Sequence, residues 1–365
     1  MKYLTRMRWA MLAVALSLPA GISNADAESF YAGKTIEIIV PAGAGGQMDT
    51  GTRLLSKYLE RFIDGKPKVR VVNLSGGGGT LGANEYALKR KHDGLHLLMA
   101  GTATIFDWIL GRSVVQYDYK KMHPLWAAPN PSVVFFPKKT GIKTVKDIKN
   151  PAVEIISGVR APTGPELPTY MMLDMVGLLD GIRVVQGYKS GRDVRAAFAA
   201  GEINFGRNSH GSFQRRYGKM LAAGDITPVY THGFYNAAGK YVRDPKLPDL
   251  PNLEEAYTIL AGKKPSGTFW DATMLILGIN VSGGVNFTMH LDSPKEARQA
   301  MDEAMARITA DPQFKDEMGK IFGKEYPTTS GAALVAAHQR MTNADPALIE
   351  IVRQFLAKKF NYKFN

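Results

Sequence analysis

The sequence of 365 residues contains no cysteine. An exported protein without cysteine cannot use disulfide bonds, which small secreted scaffolds need to stay folded. A lipoprotein anchor is also excluded, because that anchor requires a cysteine at the cleavage site. The composition therefore fits a larger protein of the bacterial periplasm better than a cross-linked extracellular module.

Long hydrophobic runs are scarce as well. The apolar run Trp9–Leu18 follows a basic start and is too short to span a bilayer. Ala25-Asp26-Ala27 then supplies a small-x-small cleavage pattern. These features predict a signal peptide over residues 1–27, cleaved near Ala27, and a periplasmic location. A membrane anchor is the alternative interpretation.

Motifs of common hydrolases and metalloenzymes are also missing. The sequence has no G-x-S-x-G, no H-E-x-x-H and no glycine loop that continues into Gly-Lys-Ser/Thr. Its seven histidines are scattered, and its formal net charge is +13. Export argues against a nucleic-acid partner for this charge and leaves a membrane surface or anionic small molecules. We therefore expect a protein that is not an enzyme and that has no metal and no cofactor.

The chain is organised around two similar stretches near its start. Thr35–Val40 is an apolar, β-branched run, and Pro41–Asp49 is a glycine-rich turn that leads into a helical pattern. Val69–Asn73 and Gly76–Gly79 repeat this arrangement before a second predicted helix. Two such turns on neighbouring parallel strands would face one ligand, and helix N-termini offer N–H groups to an anion.

Strand and helix signals alternate along the rest of the chain. We expect further strands at Glu202–Phe205 and Met274–Asn280, a polar turn at Gly206–His210, and a helical region over Ala332–Phe355. The predicted fold class is α/β, with two lobes and a ligand cleft between them. The predicted segments are 28–131 for the first lobe, 132–230 for the second, and 231–365 for a connection and helices that return to the first.

Gly77–Gly82 matches the dinucleotide fingerprint G-x-G-x-x-G, after a predicted strand and at the start of a helix. Asp93 lies near the expected position of a ribose-binding acid, but in a turn rather than at a strand end. The fingerprint also follows the second predicted strand instead of the first. An exported dinucleotide-binding oxidoreductase is therefore kept as an alternative function.

Small polar residues at strand ends are the candidate ligand contacts. Arginine at such a position can grip a carboxylate through two parallel hydrogen bonds. The candidates read from the residues themselves are the N–H groups following Gly45 and Gly78, together with Asp49, Thr102, Arg160, Thr163, Arg207 and Asn208.

Several motifs together resemble the periplasmic solute-binding proteins of tripartite tricarboxylate transporters, known as the Bug family. Residues 36–49 fit I-x-x-I-V-P-x-x-x-G-G-x-x-D, and residues 73–83 fit N-x-x-G-x-G-G-x-x-G-A. Residues 93–98 fit D-G-x-x-L-L, Tyr188-Lys189 fits a Y-K pair, and residues 247–251 fit L-P-D-x-P. These matches occur in the family's order across most of the mature chain.

The resemblance implies a two-lobed clamp in the manner of type II periplasmic binding proteins. Its first-lobe turns would hold one carboxylate of the ligand, largely through N–H groups and water. This adds Pro41, Gly46, Gly76, Gly79 and Thr80 to the expected contacts. The implied partners are a small organic carboxylate and a membrane permease, and we expect a monomer. A sensor module for a membrane kinase would use the same clamp and stays an alternative.

One departure from the family pattern concerns the ligand. Asn208 stands where many members have aspartate, and Arg207 replaces an apolar residue. Together these changes remove a negative charge and add a positive one. They argue against an amine-bearing ligand and favour a second carboxylate or a neutral ring.

Overall fold

The computed structural model describes residues 29–236, 239–324, 326 and 328–364, so the predicted signal peptide lies outside the described residues. The strands are β1 Thr35–Val40, β2 Lys68–Asn73, β3 His96–Gly101, β4 Met122–Ala128, β5 Ser132–Pro137, β6 Ile155–Gly158, β7 Ile182–Val185, β8 Gly206–Ser209, β9 Ile226–Thr231, β10 Phe234–Tyr235, β11 Tyr241–Val242 and β12 Val285–His290. The helices are α1 Gln47–Phe62, α2 Thr80–Lys89, α3 Thr102–Ile109, α4 Leu167–Met175, α5 Gly191–Ala200, α6 His210–Ala222, α7 Leu253–Ala261, α8 Thr268–Gly283, α9 Lys295–Ala310, α10 Pro312–Phe322, α11 Gly331–Thr342 and α12 Pro346–Phe360.

The first lobe is built on a mixed sheet with strand order β2-β1-β3-β12-β4. β1 pairs in parallel with β2 and β3, whereas β12 runs antiparallel to β3 and β4. Alternate residues of β1 enter different cores. Ile36 and Ile38 pack in one buried cluster and Ile39 in another. Because both faces of the sheet are covered at its centre, β1, β3 and β4 are largely apolar and buried.

The second lobe contains an antiparallel sheet with order β8-β5-β9 and a parallel pair formed by β6 and β7. Its core includes Phe135 of β5, whose ring centroid lies 4.7 Å from that of Tyr217 and 5.2 Å from that of Phe198. These aromatic contacts hold α5 and α6 against the sheet. The N-terminal ends of both helices are thereby fixed on the side that faces the first lobe.

The C-terminal third contributes elements to the first lobe. β12 is inserted between β3 and β4, and α9 and α10 pack on α1. α12 packs on α8, which precedes β12. Among the described residues, no helix is both long and apolar enough to cross a membrane.

Local predictions for two stretches were wrong. Met274–Asn280 lies inside α8, which is apolar on all sides and therefore shows no clear helical period. The strand near residue 205 is β8, Gly206–Ser209, and not Glu202–Phe205; the segment predicted as a polar turn is this strand and the start of α6. The helical region predicted over Ala332–Phe355 is confirmed as two helices, divided before Pro346, which begins α12 with Asp345 as its N-cap.

Candidate functional site

A cavity of about 190 Å³ lies between the two lobes. Its size suits a small organic acid, since pockets for drug-sized ligands run from about 300 to 1,000 Å³. The first lobe lines it with the turn after β1 and the start of α3, and the second lobe with the turn after β6, the start of α5, and β8. The lining residues with polar or charged side chains are Gln47, Thr102, Asn130, Arg160, Glu166, Ser190, Arg192, Arg195, Arg207, Asn208, Ser209 and Ser212.

Three helices place their first residue on the wall of this cavity. Gln47 and Met48 of α1, Thr102 and Ala103 of α3, and Gly191 of α5 all line it. N–H groups in the first turn of a helix have no partner within that helix, and the helix dipole makes this end positive. The cavity wall therefore offers N–H groups to an anion from both lobes.

The first glycine turn is shaped by Asp49. Its buried carboxylate accepts hydrogen bonds from the Gly45 N–H at 2.8 Å and from Arg53 Nε at 3.0 Å. Burial by itself would raise the pKa of Asp49, but these two bonds, a contact with Asn73 and the charge of Arg53 together offset burial and lower the pKa. The Gly45 N–H is thus used within the protein. Asp49 holds the turn in place, whereas Gly46 reaches the cavity wall.

The second glycine turn lies behind the first and does not line the cavity. Gly76, Gly78 and Gly79 all have positive φ, at 146°, 74° and 118°. The Gly79 N–H donates to the Gly76 carbonyl at 2.9 Å. A methyl group on Gly79 would lie 3.0 Å from the Pro41 carbonyl oxygen. Tight packing on Pro41 therefore explains this glycine, and the fingerprint Gly77–Gly82 serves that packing.

Thr80 and Thr163 meet at a residue that sequence reasoning missed. Both donate to the fully buried carboxylate of Asp107 on α3, Thr80 Oγ1 at 2.5 Å and Thr163 Oγ1 at 2.8 Å. Arg112 Nη1 at 2.9 Å and the Tyr362 hydroxyl at 3.3 Å complete the cluster. Asp107 thus joins a first-lobe turn to a second-lobe turn, next to the cavity rather than on its wall.

The ionisable residues on the cavity wall are four arginines and one glutamate: Arg160, Arg192, Arg195, Arg207 and Glu166. Burial is the main cause that lowers the pKa of Arg195, and the nearby charges of Arg216 and Arg192 lower it further. The cavity therefore has an excess of three positive charges. Such a field favours an anionic ligand and opposes an amine.

Arg207 already has partners in the protein. Its Nη2 donates to the Ser132 hydroxyl, and its Nη1 lies 3.5 Å from Oε1 of Glu166. Its Nε is buried and has no hydrogen-bond partner among the described residues. Burial lowers the pKa of Arg207, while Glu166 acts in the opposite direction.

Arg160 differs from Arg207 in this respect. Within the part of the chain that the structure describes, no hydrogen bond or ion pair reaches its guanidinium group. Burial lowers its pKa, and the more distant carboxylates of Glu166 and Asp107 offset part of that effect. A half-buried cation that faces a cavity in this way is set up to meet an anion from outside the protein.

Thr102 connects the cavity to the interior. Its hydroxyl donates to Asn280 Oδ1 at 2.8 Å, and Asn280 Nδ2 lies 3.5 Å from Nδ1 of His232. Nε2 of His232 lies 2.8 Å from the Thr169 hydroxyl in the second lobe. A buried polar chain therefore runs from the cavity wall, past the segments that join the lobes, into α4.

The sequence analysis thus placed five residues on the cavity wall: Gly46, Thr102, Arg160, Arg207 and Asn208. The remaining candidates stand behind that wall: Pro41, Gly45, Asp49, Gly76, Gly78, Gly79, Thr80 and Thr163. The sequence analysis did not identify four other polar residues of the wall, which are Gln47, Glu166, Arg192 and Arg195. Arg192 and Arg195 are one turn apart at the start of a predicted helix, so their shared face was the signal that could have revealed them.

Solved structures of binding proteins share this fold. BugD, a periplasmic binding protein, superposes with a TM-score of 0.66 at 18% identity over 90% of this chain and 99% of its own. Rpa4515 of R. palustris, solved with adipate, gives 0.66 at 18% identity over 88% and 97%. MatC of Rhodopseudomonas palustris, solved with malate, gives 0.64 at 15% identity over 87% and 99%. The chain therefore has the two-lobed fold of periplasmic binding proteins.

Sequence comparison adds a shorter match. A UPF0065 protein of Agrobacterium vitis, from the TAR-I ttuE-ttuC' intergenic region, is 39% identical over 82 residues. These residues are 22% of this chain and 23% of the relative. No protein-family model matches the sequence. The resemblance drawn from the sequence motifs is confirmed at the level of the fold.

Proposed function

We propose that the protein is a periplasmic receptor of the Bug family that captures a small organic acid with at least two carboxylates. It would deliver this acid to the membrane permease of a tripartite tricarboxylate transporter and would carry out no chemistry. The observation that carries the proposal is the cavity itself, with four arginines, one glutamate and three helix N-termini on its wall.

The two walls suggest how such an acid is held. One carboxylate accepts hydrogen bonds from the N–H groups at the starts of α1 and α3, as anions do at helix N-termini. The second carboxylate meets Arg160, which has no counter-ion among the described residues. Closing the lobes removes water, and both sets of contacts strengthen as the local dielectric falls. Rpa4515 and MatC, solved with adipate and malate, support a dicarboxylate for a protein of this fold.

The rival from another class is an exported dinucleotide-binding oxidoreductase. Its fingerprint, Gly77–Gly82, belongs to the turn that packs on Pro41, and adding a side-chain carbon to Gly82 would bring it within 2.5 Å of the Leu74 carbonyl oxygen. These glycines have a packing reason that needs no cofactor. The sensor alternative uses the same clamp and differs only in the membrane partner.

A thermal-shift screen tests the proposal, because a ligand that binds only the folded state raises the melting temperature. The panel contains monocarboxylates, dicarboxylates, tricarboxylates, aromatic acids, nicotinate and the nicotinamide dinucleotides. We expect the largest shifts from acids with two or three carboxylates. A shift from a dinucleotide, or nicotinamide or flavin absorbance after mild purification, would reject the receptor function.

A further inference from the structure

Two histidines and an aspartate meet where β12 ends, on the side of the first-lobe sheet that is far from the cavity. His290 is the last residue of β12, and Val285, the first residue of the same strand, lines the cavity. The five steps between them span about 17 Å. His92 lies between α2 and β3, and Asp292 is two residues beyond β12.

The donor atoms of His92, His290 and Asp292 all lie within 4.8 Å of one another. Nδ1 of His290 and Oδ2 of Asp292 are 3.4 Å apart. Donors bound tetrahedrally to one ion at about 2.0–2.1 Å are separated by roughly 3.4 Å. The His290–Asp292 pair therefore already has the spacing that a shared ion requires.

The two histidine rings leave one buried nitrogen without a partner in the described part of the chain. They stack with centroids 3.5 Å apart and planes 8° apart. Nε2 of His92 is buried and has no hydrogen-bond partner among the described residues. Buried polar atoms in folded proteins are nearly always paired, and an orphan nitrogen beside a second imidazole and a carboxylate calls for a partner.

We infer that His92, His290 and Asp292 form a site for one zinc ion or a similar borderline divalent metal. Two imidazoles and one carboxylate suit zinc, nickel, cobalt or copper, whereas magnesium and calcium prefer oxygen donors alone. The side chain of Asp292 is 75% exposed, so the ion is accessible and water can complete its coordination. An ion bound there would connect the loop before β3 to the end of β12.

The stack also defines what binding must change. The lone pair of an imidazole nitrogen lies in the plane of its ring, so the lone pairs of two parallel rings do not converge on one point. One of the two rings must therefore rotate before a nitrogen from each can bind the same ion. His92 is half-buried in a loop, whereas His290 is buried at a strand end. His92 is therefore the ring that rotates out of the stack. Nδ1 of His290 accepts a hydrogen bond from the Asp292 N–H at 3.1 Å, and this bond must break when Nδ1 binds the ion.

Isothermal titration of chelator-treated protein with zinc chloride tests the site, with magnesium chloride as the comparison ion. We expect one zinc per chain and no binding of magnesium. His92→Gln and Asp292→Asn should each weaken zinc binding at least tenfold, and both residues are accessible enough for these variants to fold. Histidine NMR resonances should shift on zinc addition for His92 and His290.

His96→Gln is the matched control. Nδ1 of His96 lies 3.0 Å from Oδ1 of Asp93, so this is a neighbouring histidine–carboxylate pair outside the cluster. It should bind zinc as the unchanged protein does. Absence of zinc binding, or an equal loss in all three variants, would overturn the proposal. Several weak equivalents that survive both site variants would show adventitious surface binding only and would also overturn it.

Discussion

Arg160 and Arg207 both line the second-lobe wall, but they differ in what holds them. Glu166 and Ser132 engage Arg207, whereas the described residues offer Arg160 no hydrogen bond or ion pair. The partners of Arg207 engage both of its Nη atoms, so a carboxylate gripped through these two atoms would compete with them, whereas the described residues leave both Nη atoms of Arg160 available. Arg160 is therefore the better reader of a second carboxylate, although the sequence alone drew equal attention to both.

Changing Arg160 to glutamine should weaken binding of a dicarboxylate far more than binding of a monocarboxylate of equal length. A charge-assisted hydrogen bond contributes about 1.5–3 kcal/mol, or roughly 10- to 100-fold in Kd. Isothermal titration with both ligands measures the difference. Arg183→Gln is the control, since Arg183 is 57% exposed and pairs with Glu154 away from the cavity. Equal losses for both acids would show that Arg160 does not contact the second carboxylate.

Asp107 shows why single residues of this site escape sequence reasoning. It lies within an apolar helix and matches no motif, yet it accepts hydrogen bonds from Thr80, Thr163 and Arg112. Thr80 and Thr163 lie 27 and 56 residues from Asp107 in sequence, and only the fold brings them to it. Thr80 and Thr163 were predicted to touch the ligand because their turns were identified correctly, but their hydroxyl groups face Asp107.

At the scale of elements, the two glycine turns have different roles: the first lines the cavity and the second packs behind it. Gly46 has a φ of −76° and lines the cavity, and a methyl group there would come no closer than 3.5 Å to the nearest atom. Gly79 has a φ of 118°, and a methyl group would lie 2.9 Å from Thr104. The repeated strand–turn–helix pattern predicted both turns, but it could not tell which one faces the ligand.

This difference predicts opposite outcomes for two alanine substitutions. Gly46→Ala should weaken ligand binding and leave the melting temperature of the unliganded protein almost unchanged. Gly79→Ala should lower the free energy of unfolding by about 1–3 kcal/mol, because alanine is strained at positive φ and crowded by its neighbours. Measuring Kd and urea unfolding on both proteins separates the two effects. Stability lost in Gly46→Ala and kept in Gly79→Ala would refute this assignment.

His232 carries a prediction about pH because it sits in the buried chain between α8 and α4. Burial lowers the pKa of His232 well below its usual value, and the charge of Arg207 adds to the effect. The unfolded state then binds a proton as pH falls below about 6.5, while the folded state does not. The contribution of His232 to the free energy of unfolding is therefore fully present above that pH, and it decreases by about 1.4 kcal/mol per pH unit below it.

Urea unfolding at pH 7.5 and 5.5 measures this slope, with His232→Gln as the comparison. The variant should lose the contribution of His232, while other histidines contribute equally to both proteins and cancel. The offset in stability from the substitution does not affect the slope. Identical slopes in the two proteins would contradict the burial of a neutral His232.

The sequence also predicted elements unevenly for physical reasons. β1 and β2 lie where strands were predicted, at Thr35–Val40 and Val69–Asn73, because each β-branched run ends in a glycine-containing turn. The apolar segment Met274–Asn280 was assigned to a strand because a helix buried on every side has no polar face to reveal its period. β8 was assigned to a turn because it is an edge strand whose polar residues face the cavity.

At the scale of the whole molecule, the cavity gains its charge from segments far apart in sequence. Arg160, Arg207 and the α5 pair come from three separate stretches of the second lobe, and the fold of that lobe brings them to one wall of the cavity. The net charge of +13 hinted at an anionic partner but did not locate it. The two-lobed fold could be predicted from motif order, whereas the arginine wall required the structure.

Recognition of two carboxylates is tested by comparing straight-chain acids of equal length, from butyrate with succinate to hexanoate with adipate. Isothermal titration of the unchanged protein gives the Kd for each acid. The arginine wall predicts that the dicarboxylate binds at least tenfold more tightly in the pair that fits best. Monocarboxylates that bind as tightly as their dicarboxylate partners, or dicarboxylates that do not bind at all, would contradict the proposed recognition of two carboxylates.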